Sequence, residues 1–288
     1  MCPMIPSDLP EALKTRCAAL DELLSNHRRI GIAFSGGVDS TLLAWYVHVV
    51  LEREVHLFLV AGTLLPNRER GRAVEAALET GLNPEVISLD PLASPSIVEN
   101  SPERCYHCKK LLMSAVRTQG IQRGCSILCD GTHAEDHLSH RPGRKALDEL
   151  GFVSPLGRAG FSKEHIRELS RLAGLSTWNR PSQSCLATRV PYGTRLTTDL
   201  LQRIDLAESI LLDMGIGQVR VRVHGDLARI EIPAASFHAV LREEDRSRIS
   251  ESFRRLGFIH TTLDILGFRS GSWDESTRAD SRAKRDPQ

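Results

Sequence analysis

The chain has 288 residues, of which 41% are hydrophobic and 25% charged, with a formal net charge of +1 at pH 7. That balance suits a globular protein of one large or two modest domains, and it gives no electrostatic bias toward nucleic acid or a membrane surface. No stretch approaches the roughly 18 apolar residues of a membrane span, and Met1–Pro10 lacks a basic start followed by an apolar core, so a cytoplasmic protein is expected.

Leu9, Leu13, Leu20, Leu23 and Leu24 recur at helical spacing and predict a helix over 8–26. Strand and helix patterns then alternate. Strands are predicted at 29–34, 55–61, 84–89 and 126–130. Helices are predicted at 39–51, 68–80, 106–118 and in two pieces from 143 to 173. Such alternation predicts an α/β fold: a parallel sheet with right-handed crossovers and helices on both faces, binding ligands at the carboxyl ends of its strands. That edge carries Ser35–Ser40 after the first strand, Ala61-Gly62-Thr63 after the second and Asp130-Gly131-Thr132-His133 after the fourth. The pattern changes near 175. A loop-forming run, Asn179–Ser184, precedes a helix (197–214), strands (218–224 and 228–232) about a Gly225-Asp226 turn, a helix (243–256) and a strand (259–265). The expected organisation is a nucleotide-binding domain over 1–178, a small α+β domain over 179–268, and a polar, basic tail over 269–288 expected to be disordered.

The loop Ser35-Gly36-Gly37-Val38-Asp39-Ser40 lies between an apolar strand and a helix N-terminus. Two glycines let the backbone turn its N–H groups toward a ligand, the serines add hydroxyl donors, and the helix end favours negative charge. The combination suits nucleotide phosphates. It differs from the lysine-ended phosphate loop and from G-x-G-x-x-G. Asp39 reads equally as a neighbour of Mg2+ on those phosphates or as an acid stabilising the turn.

Seven cysteines without a secretory leader argue against a disulfide framework. Cys2 lies near the start, Cys17 in the first helix, and Cys125 and Cys129 read as small buried hydrophobes flanking a strand. Cys105-Tyr106-His107-Cys108 places two sulfurs on one turn, and Cys185 follows 77 residues later. Such a set can bind metal, run dithiol chemistry or do neither. Zinc would want a fourth ligand, such as His107 or His133, whereas three cysteines on a [4Fe-4S] cluster leave one iron open to an external ligand such as sulfide. The run His133–His140 also invites a metal reading, although a loop after a strand tolerates polar residues. Arg220, Arg222 and His224 alternate along a strand, so they share a face suited to a phosphate, with Arg229 nearby; the bland alternative is a solvated edge strand.

The loop matches the S-G-G-x-D-S signature of the N-type ATP pyrophosphatases. Together with Asp130-Gly131-Thr132, Cys185-Leu186-Ala187-Thr188-Arg189-Val190-Pro191-Tyr192-Gly193 and Arg220–Asp226, in that order, it resembles the LarE family over roughly residues 10–268. These ATP-dependent sulfur transferases serve nickel-pincer nucleotide biosynthesis. The resemblance implies a Rossmann-like sheet and cleavage of ATP to AMP and pyrophosphate with Mg2+. It implies adenylation of a carboxylate of a pyridinium dicarboxylate mononucleotide, then sulfur insertion to give a thiocarboxylate. ATP would sit on Ser35–Ser40, with adenine near Val60-Ala61 and further contacts from Gly131 and Thr132. Cys185 matches the family's sulfur-bearing cysteine. Cys105 and Cys108 stand where the [4Fe-4S] type has its other ligands, which favours a cluster resupplied by a sulfide donor over a sacrificial Cys185, zinc or a persulfide relay. The resemblance further implies substrate phosphate on Arg220 and Arg222, Glu208 and Glu231 lining that pocket, Arg189 on a substrate carboxylate, Arg158 orienting the transferred groups, and a homo-oligomer. His133 stands where the family carries Asn. A tRNA thiolase, an ammonia-using synthetase and a nucleotide sensor are the competing readings, and tRNA is not an expected partner.

Overall fold

The computed structural model describes residues 9–138 and 142–269, without the side chains of 137, 138 and 142. Cys2, His140 and the tail from Ser270 lie outside the described residues. In chain order the elements are α1 (Glu11–Leu24), β1 (Arg29–Ala33), α2 (Val38–Trp45), β2 (Glu54–Ala61), α3 (Asn67–Glu79), β3 (Pro84–Ser88), α4 (Pro95–Val98), α5 (Arg104–Gln122), β4 (Ile127–Cys129), α6 (Pro142–Glu149), α7 (Pro155–Arg158) and α8 (Lys163–Leu172). After them come α9 (Thr198–Asp213), β5 (Arg220–His224), β6 (Leu227–Glu231), α10 (Phe237–Leu241), α11 (Glu243–Arg255) and β7 (His260–Leu263). By contact density the chain forms two units. Among the described residues, one holds those up to Ile97 and those within Pro102–Gln183; the other holds Val98–Ser101 and those from Ser184 to Arg269.

The first unit is built on a four-stranded parallel sheet ordered β3-β2-β1-β4. This is the Rossmann-like α/β arrangement that the alternating pattern predicts. Ile30 and Ile32 of the central β1 are fully buried, as continuous apolar strands covered on both faces require. One layer packs Leu13, Leu20, Leu42, Trp45, Ile166 and Leu169 from α1, α2 and α8 into a single core. On a second core, Phe58 meets Met113 and Val116 of α5 and Leu147 of α6. Strand order reverses at β1, between β2 and β4, and in open α/β sheets a ligand crevice opens at such a switch point. The loops after β1 and β4 both lie there.

Two helices depart from expectation. The pattern predicts one helix over 39–51, but α2 ends at Trp45 and a wider π turn covers Tyr46–Val50. The pattern also stops the third crossover helix at 118, ahead of Gly120, whereas α5 runs to Gln122. Gly120 does not end it: a Cβ there would lie 2.4 Å from Leu128 Cδ2, so this glycine serves close packing of α5 on β4.

The second unit carries a three-stranded sheet ordered β5-β6-β7, with β5 and β6 antiparallel and β6 and β7 parallel. Val221, Val223, Ala228 and Ile230 of the sheet, Leu201, Ile204 and Leu211 of α9, and Ile249 and Phe253 of α11 are buried. The unit recruits Val98–Ser101 from earlier in the chain through backbone bonds from Leu196 N–H to Val98 O (2.8 Å) and from Gly193 N–H to Asn100 O (3.0 Å). Asn100 is fully buried, with φ of 54°, and its amide donates to Pro191 O at 2.7 Å.

Candidate active site

Within the first unit, the turn after β1 is held open by its glycines. Gly36 has φ of +70°, and a Cβ on it would lie 2.4 Å from Ala73 Cα of α3. No L side chain fits there without moving α3. Ser40, buried in the first turn of α2, gathers the loop around its hydroxyl. Its Oγ accepts from Ser35 N–H (3.3 Å), meets Ser35 Oγ (3.2 Å) and donates to Gly37 O (3.3 Å). Ser35 itself is exposed, while Gly36 and Val38 are buried. The 130–132 loop closes the other side: a Cβ on Gly131 would lie 2.9 Å from Ser40 N. Asp130 is 4% exposed and spends its carboxylate on Thr132 Oγ1 (2.5 Å) and Ser154 Oγ (2.6 Å). Residues Ser35–Ser40, Gly131 and Thr132 therefore form one backbone-lined cradle at the switch point. Val60 and Ala61 end β2, the neighbour of β1. Arg158 is exposed at the end of α7, whose Gly157 N–H donates to Thr132 O at 3.0 Å.

Asp39 takes a role the sequence does not display. Both its oxygens lie 2.7 Å from Lys163 Nζ, at the first turn of α8. The Lys163 N–H is held in turn by Glu135 Oε2 at 2.9 Å. His133, weighed as a metal ligand, instead pairs with Asp136 (3.4 Å) and Glu135 (3.7 Å).

Within the second unit, Cys185 caps the short turn Leu186–Arg189, and its carbonyl accepts from Thr188 Oγ1 (2.7 Å) and Arg189 (2.9 Å). Arg189 is fully buried. Its guanidinium forks onto Glu208 through two 2.8 Å bonds and also donates to Ser184 O, Ser184 Oγ and Thr188 Oγ1. With its donors directed at protein, Arg189 orders the Cys185 turn; the expectation that it meets a substrate carboxylate gives way to that role. Glu208 also accepts from Val221 N–H at 3.0 Å, and Arg222 bridges Glu231 (3.1 Å) to Thr188 O (2.6 Å). Arg229 adds a 3.0 Å bond to Glu231.

Arg220 and Arg222 are 4% and 5% exposed, so β5 is not a solvated edge strand. Burial, with Arg189 close by, pushes the Arg220 guanidinium down to about 10, against the pull of Glu208. His224 is held below the ordinary imidazole range by desolvation and by Arg229 and Arg222. Cations that resist their own charge in this way gain from an anionic ligand.

Cys105 and Cys108 stand in the first two turns of α5, Cys105 with the Arg104 guanidinium 3.4 Å from its sulfur. Cys105, Cys108 and Cys185 are all outside any disulfide and half-buried. Cys105 and Cys108 belong to the first unit and Cys185 to the second. Within neither unit do the described residues gather three or more His, Cys, Asp or Glu side chains as a metal-holding group. Burial raises the thiols of Cys17, Cys125 and Cys129, which suits their reading as packing residues. Among the described residues no helix is long and apolar enough to cross a membrane.

No family model matches the chain. It is 37% identical over 265 residues to the pyridinium-3,5-bisthiocarboxylic acid mononucleotide synthase of Lactiplantibacillus plantarum, a match covering 92% of this chain and 95% of that protein. It is 35% identical over 260 residues to an uncharacterized protein of Synechocystis, covering 90% and 97%. A third relative, an uncharacterized protein of Methanocaldococcus jannaschii, is 28% identical over 244 residues, covering 85% and 92%.

Proposed function

The chain belongs to the LarE family of sulfur-inserting synthases, and from that premise we propose that it uses ATP to replace a carboxylate oxygen of a pyridinium dicarboxylate mononucleotide with sulfur. The full-length likeness to the Lactiplantibacillus synthase carries this reading. The cradle of Ser35–Ser40, Gly131 and Thr132 supports its ATP half, since glycines let the loops pack closely around the start of α2, where backbone N–H groups favour an anion.

In the proposed sequence a carboxylate oxygen attacks the α-phosphorus of ATP, pyrophosphate leaves, and an acyl adenylate forms. Ser35, Ser40 and the loop N–H groups hold the phosphates, with Val60 and Ala61 beside the adenine. Asp39, paired with Lys163, is the carboxylate that would hold Mg2+, which would supply positive charge to the phosphates. A sulfur nucleophile then attacks the acyl carbon and AMP leaves. A sulfide needs no dedicated base for this step near neutral pH and yields the thiocarboxylate directly, whereas a cysteine thiolate first gives a thioester whose Cβ–S bond must then break. Arg220 and Arg222 hold the substrate phosphate, Glu231 orients Arg222, and Arg189 with Glu208 fixes the turn that presents Cys185.

Two of the expected cluster ligands, Cys105 and Cys108, are free cysteines three residues apart on α5, a spacing that suits iron and sulfur. Held by Cys105, Cys108 and Cys185, a [4Fe-4S] cluster would supply an iron open to external sulfide, making the sulfur renewable. Anaerobic purification tests this directly. The expected protein is coloured, holds about four irons and keeps an intact Cys185 after turnover. Iron-free protein in which Cys185 loses its sulfur on turnover overturns the cluster and leaves a sacrificial cysteine.

A further inference from the structure

Arg180 lies five residues ahead of Cys185 in the chain, in the run read from sequence only as a loop. Its guanidinium donates to Gly36 O (3.0 Å) and to Glu69 Oε2 of α3 (3.0 Å), with side chains only 17% and 12% exposed. The backbone that carries it is pinned as well: Arg167 of α8 donates to Trp178 O (2.8 Å) and to Arg180 O (3.0 Å).

The target is the informative part. Gly36 is the left-handed residue of the phosphate loop. In a trans peptide the carbonyl and the following N–H point in opposite directions, so anchoring Gly36 O fixes where Gly37 N–H points. That N–H makes only a long 3.4 Å approach to Ser35 Oγ. A peptide between two glycines has little intrinsic orientation of its own. We propose that Arg180 is a positioning residue that sets the Gly36–Gly37 peptide so that its N–H faces the nucleotide phosphates. Glu69 aims the guanidinium, and Arg167 holds the strap from which it reaches.

This inference rests on the ATP reading, and calorimetry with three probes separates the two. ATP, inorganic pyrophosphate and adenosine are titrated into the wild type, Arg180→Gln, Arg180→Lys and Glu69→Gln. Arg180→Gln weakens ATP and pyrophosphate about tenfold, the scale of one charge-assisted hydrogen bond, and leaves adenosine unchanged. Arg180→Lys, which keeps the charge but cannot fork to both partners, falls between. Glu69→Gln shifts the same two probes by less. Arg180→Gln with unchanged affinities overturns the inference alone. Equal weakening of adenosine in Arg180→Gln and Arg180→Lys also overturns it, because that is general damage to the domain. A wild type that binds none of the probes overturns the ATP reading and this inference together.

Discussion

An alanine at Gly36 would have to keep φ of +70° with its Cβ 2.4 Å from Ala73 Cα. Gly36→Ala is expected to cost about 1–3 kcal/mol of stability, read from the urea midpoint, and to abolish ATP binding. His224 offers a pH test. Its folded pKa lies below the ordinary value of 6.5, so on acidification the unfolded chain takes up the proton first. Stability from this group is therefore full above about pH 6.5 and declines as pH falls toward the folded value. His224→Gln should flatten that decline between pH 7 and 5, and inorganic phosphate should raise the wild-type imidazole pKa by NMR. At this scale legibility was uneven. Ser35–Ser40 could be read because its signal is local: glycines, hydroxyls and a helix start within six positions. Lys163 and Arg180 could not, because their partners lie 124 residues away for Lys163 and 144 and 111 for Arg180, and no local spacing encodes where a long cation points.

Among elements, the contact of β5 with α9 and the Leu186–Arg189 turn holds the account of the second unit. The period of two put Arg220 and Arg222 on one face, as the sequence pattern indicates. Their burial was not legible, because an edge strand reads as solvated until the turn at 186–189 and α9 are seen against it. Glu208 is the keystone, accepting from Arg189 and from Val221 N–H. Glu208→Gln leaves a buried guanidinium without its carboxylate and should cost about 3–5 kcal/mol. Replacing both members with apolar residues of similar volume should recover much of that loss while still disordering Cys185. Urea titration checks the first expectation, and the alkylation rate of Cys185 checks the second. The same limit explains the α5 boundary, predicted at 118, because the packing of Gly120 on Leu128 that the longer helix makes is a tertiary contact.

For the whole molecule, a parallel sheet of four strands with intervening helices was legible because strand and helix patterns alternate along the first half of the chain. The membership of Val98–Ser101 in the second unit was not, since it depends on backbone bonds to residues 193 and 196, far along the chain. The match to the Lactiplantibacillus synthase spans nearly all of both chains, and the proposed function assigns both halves of the chemistry to this one polypeptide. Cys185→Ala should therefore keep ATP cleavage, measured as pyrophosphate release, while losing sulfur transfer. The most direct test is a single-turnover reaction of the anaerobic protein with ATP, Mg2+ and pyridinium dicarboxylate mononucleotide, followed by mass spectrometry. AMP, pyrophosphate and a thiocarboxylate formed in equal amounts are the predicted products. An amide product, or ATP cleavage in which no sulfur reaches the substrate, would contradict the account.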